Sequence, residues 1–123
     1  MRALVVDDSR TIRAAIGRML KELNFEVLEG RNGREALDKL KEIGTADLAM
    51  VDWNMPEMNG LEFVRAVRSD ANYNSMPMVM VTTNTEMEHI ALALEAGANE
   101  YIMKPFTKEM IVEKLSIVGI SLS

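Results

Sequence analysis

Ala3-Leu4-Val5-Val6-Asp7-Asp8 is a short apolar run that ends in two acids, and the same pattern returns along the chain. Leu48-Ala49-Met50-Val51 runs into Asp52, and Met78-Val79-Met80-Val81 runs into Thr82-Thr83-Asn84. Glu100-Tyr101-Ile102-Met103 leads to Lys104-Pro105-Phe106. Such short apolar runs read as strands buried on both faces. One more strand, Phe25-Glu26-Val27-Leu28-Glu29, enters the turn-forming Gly30-Arg31-Asn32-Gly33.

Between the strands the apolar spacing changes to three and four, the helical period. Ser9 can cap a helix that carries Ile12, Ile16, Met19, Leu20 and Leu23 on one face and stops at Asn24. Ala36, Leu37, Leu40 and Ile43 mark a second helix, ended by Gly44. Pro56 makes Asn54 through Gly60 a loop, since proline lacks the donor a central strand needs. Leu61, Val64 and Val67, with Phe63, suggest a third helix, and Ser69 through Ser75 reads as a polar connection. A fourth helix is expected from about Glu86 to Ala96, with Ile90, Ala91 and Leu94 inward and Gly97 at its end. The last follows Thr107, with Ile111, Leu115 and Val118 inward.

Five strands alternating with five helices predict an α/β fold, a doubly wound parallel sheet covered by helices on both faces. A barrel would need eight such units. The expectation is a (βα)5 three-layer sandwich with the flavodoxin-like order 2-1-3-4-5. The 123 residues suit one domain, residues 1–123, which would bury roughly two-thirds of its unfolded surface. The sequence shows no internal repeat, linker or low-complexity tract.

Composition excludes several function classes. No apolar run approaches the ~20 residues that cross a membrane, and the first residues lack the pattern of a secretory signal. There is no cysteine, hence no disulfide framework or thiol metal site, and a cytoplasmic address is the default expectation. A net charge of −5 argues against nucleic-acid binding and suits cations or basic partner surfaces.

Ligands of open doubly wound sheets bind outside the carboxyl ends of the strands. In the expected order Asp7, Asp8, Asp52, Thr82 and Lys104 converge there, while the second strand, with Glu29 and Gly30, is chemically quiet and remote. Three gathered carboxylates repel unless a hard cation or an amine neutralises them. Magnesium suits two or three acids at an open rim. Lys104 offers a compact positive charge and Thr82 a hydroxyl donor for a phosphoryl oxygen. An acid that is both metal ligand and nucleophile is a sound phosphoryl acceptor, because that transfer needs positioning and charge neutralisation above all.

Val5-Val6-Asp7-Asp8-Ser9, Asp52 followed by Met55-Pro56 and Gly60, Thr82, and Lys104-Pro105-Phe106 together resemble a response-regulator receiver domain. Asp52-Trp53-Asn54-Met55-Pro56 and Lys104-Pro105-Phe106-Thr107 look most like the CheY-type chemotaxis regulators of that family. The resemblance implies phosphorylation of Asp52 by a histidine kinase, with magnesium on Asp7, Asp8, Asp52 and the backbone carbonyl of Asn54. It implies that Thr82 and Lys104 bind the phosphoryl group and that Tyr101 is an aromatic switch turning inward as Thr82 moves. The surface expected to change is the fourth helix, fifth strand and fifth helix, which would bind a downstream target such as the flagellar motor switch. The domain would act as a monomer without an output domain, served by the kinase and by a phosphatase. Thr83, Asn84 and Asn54 would tune the lifetime of the phosphorylated state.

Other readings compete. A single-domain receiver in a phosphorelay or stress pathway would carry the same site. A haloacid-dehalogenase-type phosphatase would place its nucleophile after the first strand in an Asp-x-Asp arrangement, unlike the adjacent pair here. A non-phosphorylated scaffold would usually lack a site residue. His89 is expected on the surface rather than as a phosphate carrier, and Trp53 as a partly exposed ring. The eleven methionines are expected mostly in the core, with Met55 and Met58 open to partner contact as an alternative.

Overall fold

The computed structural model describes residues 1–83 and 88–122. Five strands, β1 (Arg2–Val6), β2 (Glu26–Gly30), β3 (Leu48–Asp52), β4 (Met78–Thr82) and β5 (Glu100–Met103), form one parallel sheet ordered β2-β1-β3-β4-β5. The α-helices between and after them are α1 (Arg10–Glu22), α2 (Gly33–Ile43), α3 (Gly60–Arg68), α4 (Ile90–Ala96) and α5 (Lys108–Ile117).

The layering follows from strand alternation, since neighbouring side chains on a strand face opposite sides. Ala3 and Val5 of β1 enter a core with Ile16 and Leu20 of α1 and Ile111 and Leu115 of α5. Leu4 and Val6 enter the opposite core with Ala36 and Leu40 of α2, Phe63, Val64 and Val67 of α3, and Ile90 and Ala93 of α4. Both faces of β1, β3 and β4 are therefore buried, which explains their unbroken apolar runs.

Local signals set the helix boundaries. The Ser9 side chain accepts from the Ile12 amide and starts α1, and Asn24 takes the positive φ of 70° that ends it. Asn32 caps α2 by accepting from the Glu35 amide. Asn59 and Glu62 form a reciprocal capping box at α3.

Two expectations need correction. The stretch Ser69–Ser75 is not merely a polar connection, because Asp70 caps a short 3-10 turn, Ala71–Tyr73, that buries Tyr73. The third helix forms as expected, with Phe63 fully buried and Leu61 half-buried. In α4 Ile90 faces inward as expected, but Ala91 and Leu94 are exposed and Ala93 is buried. The inward stripe runs at spacings of three, through Ile90, Ala93 and the partly buried Ala96, so positions 91 and 94 flank it. The start expected near Glu86 lies outside the described residues.

The end of the molecule away from the acids is tied by Arg68. Its guanidinium donates to the carbonyls of Tyr73, Met76 and Gly97 and to Oδ1 of Asn99. Gly97 ends α4 at φ +123°, and a Cβ there would lie 2.6 Å from Arg68 Cγ. Its lack of a side chain therefore serves both the turn and the clamp.

Candidate functional site

The reversal of winding direction puts β1 and β3 side by side at the centre of the sheet, so their terminal acids meet. Asp52 is the last residue of β3 and is only 5% exposed. Beyond it the loop turns sharply inward, with Gly60 donating its amide to the Trp53 carbonyl at 2.9 Å. A Cβ on Gly60 would stand 2.6 Å from the Asp52 carbonyl oxygen, so only glycine lets α3 start this close to the acid. Met55 is buried in the core and Met58 packs against Gly33, so both loop methionines anchor the loop internally.

Asp7 follows β1 and is 1% exposed. Its amide donates to the Gly30 carbonyl at 3.1 Å, and its Oδ1 accepts from the Ser9 amide at 2.8 Å. Its Oδ2 is buried and makes no hydrogen bond. Asp8 is exposed at the rim. One carboxylate oxygen from each of Asp7, Asp8 and Asp52 can be chosen so that all lie within 4.8 Å of one another.

Lys104 reaches this cluster from the end of β5. Its Nζ stands 3.1 Å from Asp52 Oδ1 and 3.5 Å from Asp7 Oδ2. Its amide donates to the Thr82 carbonyl at 2.7 Å, which holds the β5 end against β4. Thr82 closes β4, is fully buried, and donates its hydroxyl to the Thr83 carbonyl at 3.3 Å.

One ammonium cannot neutralise two buried carboxylates, and the electrostatics carry that imbalance. Burial, then repulsion from Asp7, pushes the Asp52 carboxyl from 3.8 up to about 6 against the pull of Lys104. Burial alone would lower Lys104, but attraction to Asp52 and Asp7 outweighs it and raises its pKa. The pair therefore does not share one benefit: the lysine gains a partner while the acid remains under strain. A buried carboxylate oxygen without a hydrogen bond, grouped with two more oxygens, fits a hard divalent cation. The residues present are thus compatible with magnesium.

The remaining sequence expectations fall around this centre. Asn54 is exposed in the loop two residues beyond Asp52, and Thr83 is half-buried after Thr82. Asn84 lies outside the described residues. Tyr101 is half-buried on β5 opposite Met80, with Lys114 Nζ 4.8 Å from its ring centre. Trp53 is partly exposed as expected, but His89 is half-buried rather than a surface residue. Their rings stack at 5.3 Å with an interplanar angle of 5°.

Two residues near the site were not singled out from sequence. Arg13 is buried in α1, and its Nη1 donates to the Asp7 carbonyl at 2.7 Å. Its Nε donates to Glu29 Oε1 at 3.0 Å. The visible signal was a charged residue spaced three and seven from Ile16 and Leu20, on the face that packs inward. Glu29 and Gly30 are consequently not remote, because β2 supports Asp7 through both.

The response regulator receiver domain family matches residues 3–116. The chain is 46% identical over 119 residues to the chemotaxis protein CheY1 of Helicobacter pylori, covering 96% of each. It is 47% identical over 119 residues to the chemotaxis protein CheY homolog of Campylobacter jejuni, covering 96% of this chain and 92% of that one. The solved structure of chemotaxis response regulator CheY4 of Vibrio cholerae superposes with a TM-score of 0.87 at 38% identity, over 95% of this chain and 97% of that one. With the fold, the acidic cluster and these likenesses in agreement, the chain belongs to the response regulator receiver domain family, in its CheY-like branch.

Proposed function

We propose that this chain is a phosphorylation-driven switch in which Asp52 takes a phosphoryl group from the phosphohistidine of a histidine kinase. One observation carries the reading: the Asp52 carboxylate lies buried at a strand end, grouped with Asp7 and Asp8 and 3.1 Å from Lys104 Nζ. In the transfer, an Asp52 oxygen forms the new O–P bond as the donor's P–N bond breaks, and the leaving imidazole takes up a proton. Magnesium held by the carboxylates of Asp7, Asp8 and Asp52 and the backbone carbonyl of Asn54 would supply positive charge for the acids and the phosphoryl oxygens. Lys104, charged over the working range, pairs with a phosphoryl oxygen once Asp52 is phosphorylated. Thr82 donates its hydroxyl to another, and Thr83, Asn54 and Asn84 set how readily water reaches the acyl phosphate.

The output is binding. Movement of Thr82 lets Tyr101 turn inward from beneath Lys114, and the α4-β5-α5 face presents the altered surface. Leu92 and Leu94 of α4 and Met110 and Val112 of α5 are exposed apolar side chains on the two helices of that surface. Residues 1–123 act as one monomeric receiver in the cytoplasm. Its target is the flagellar motor switch, a choice supported by the two relatives named as chemotaxis proteins and aligned over 96% and 92% of their lengths.

The test uses beryllofluoride with magnesium, which stands in for the phosphoryl group. Trp53 fluorescence should change in the wild type and stay flat in Asp52→Asn; an equal response in the variant removes Asp52 as acceptor. For the output, Tyr101→Ala should keep the fluorescence response and lose target binding. Unchanged target affinity takes Tyr101 out of the switch.

A further inference from the structure

Of the charged side chains on α1, the fold buries only Arg13. Its guanidinium spans two elements, donating to the Asp7 carbonyl at 2.7 Å and to Glu29 Oε1 at the end of β2 at 3.0 Å. Asp7 is thereby held at three atoms: its amide by Gly30, its Oδ1 by Ser9 and its carbonyl by Arg13. Only Oδ2 is left without a hydrogen bond, and it lies among the acids. The Asp7 carbonyl also belongs to the rigid peptide plane that carries the Asp8 amide. Fixing that oxygen fixes the plane and so the direction in which Asp8 leaves the strand. Asp8 is exposed and has no burial of its own to hold it.

We propose that Arg13, braced by Glu29, is a positioning residue that sets the Asp7–Asp8 pair for a divalent cation. The strand that looked chemically inert from sequence is then the outer support of the metal site. The inference rests on the magnesium reading above. Residues one step behind a metal ligand typically change affinity by about 10- to 100-fold when altered.

The measurement is calorimetric titration of the unphosphorylated protein with magnesium chloride, alongside thermal melts. Arg13→Lys keeps the charge but cannot bridge both acceptors, and should weaken magnesium about tenfold. Glu29→Ala and Glu29→Gln remove the same exposed charge, but only Gln keeps an acceptor for Nε. The Ala variant should therefore bind about threefold more weakly than the Gln variant, the scale of one modest hydrogen bond. Val67→Ala, a core change away from the acids, should lower the melting temperature without altering affinity. Wild-type affinity in Arg13→Lys and equal affinities in the two Glu29 variants, with Asp8→Ala still impaired, overturn the positioning role alone. An equal loss in Val67→Ala overturns it too, by making the effect one of general stability. No magnesium binding by the wild type overturns both readings.

Discussion

Neutralising Asp52 should make the protein more stable at neutral pH, although it removes the proposed acceptor. The folded-state pKa is raised from 3.8 to about 6 by burial and by Asp7. A raised carboxyl pKa means that the folded state holds a proton the unfolded state releases. Its contribution is fully present below 3.8 and is lost as pH rises through 6. The shift is roughly two units, about 3 kcal/mol at ~1.4 kcal/mol per unit. Solvent at the open rim screens part of this, leaving about 2 kcal/mol. Asn keeps the shape and an acceptor for Lys104 but carries no charge to desolvate. In EDTA at pH 7.5, Asp52→Asn should therefore melt roughly 6 °C above the wild type. At pH 4.5 the wild type has regained most of its proton, and the difference should shrink to about a third. Magnesium should close the gap at pH 7.5, since an ion at 100 times its Kd stabilises the protein that binds it by about 2.7 kcal/mol. Scanning calorimetry reads all three. A variant no more stable than the wild type, or a gain independent of pH, would refute the account of a strained carboxylate.

Three further outcomes follow from the same geometry. Lys104→Met removes the ammonium whose charge and hydrogen bond hold the Asp52 pKa down, so the Asp52 midpoint should rise above 6 in a carbon-13 carboxyl titration. An unchanged midpoint would mean that the 3.1 Å contact carries no charge coupling. Arg68→Ala leaves the carbonyls of Tyr73, Met76 and Gly97 without their guanidinium donor and should cost about 2–4 kcal/mol in urea unfolding, roughly 1 kcal/mol for each carbonyl left without a partner. Gly60→Ala should leave a folded protein but weaken the beryllofluoride response, because its Cβ forces the Asp52 carbonyl aside; a wild-type titration curve would show that the loop yields freely.

Much of the chemistry is legible in the sequence. Asp7, Asp8, Asp52, Thr82 and Lys104 each sit where an apolar run stops, and the helix pattern between the runs implies a doubly wound sheet. In such a sheet those ends must converge, so local period and one topological rule suffice to gather them. The misreadings have the same origin. Ala91 and Leu94 were placed inward by apolar identity, but the side of a short helix that meets α3 depends on what α3 presents. Tyr73 looked like part of a polar link because its burial comes from a turn whose partners, Arg68 among them, lie elsewhere.

The order of strands and helices, and the acids, hydroxyl and amine at the strand ends, can be read from residues alone, because periodicity and strand termination are properties of neighbours along the chain. The folded arrangement adds that one lysine serves two aspartates, that Asp52 is pushed to about 6, and that Arg13 bonds both Glu29 on an apparently quiet strand and the Asp7 carbonyl. Those properties arise from desolvation and from charges brought within a few ångströms across long sequence separations. No local pattern carries that distance.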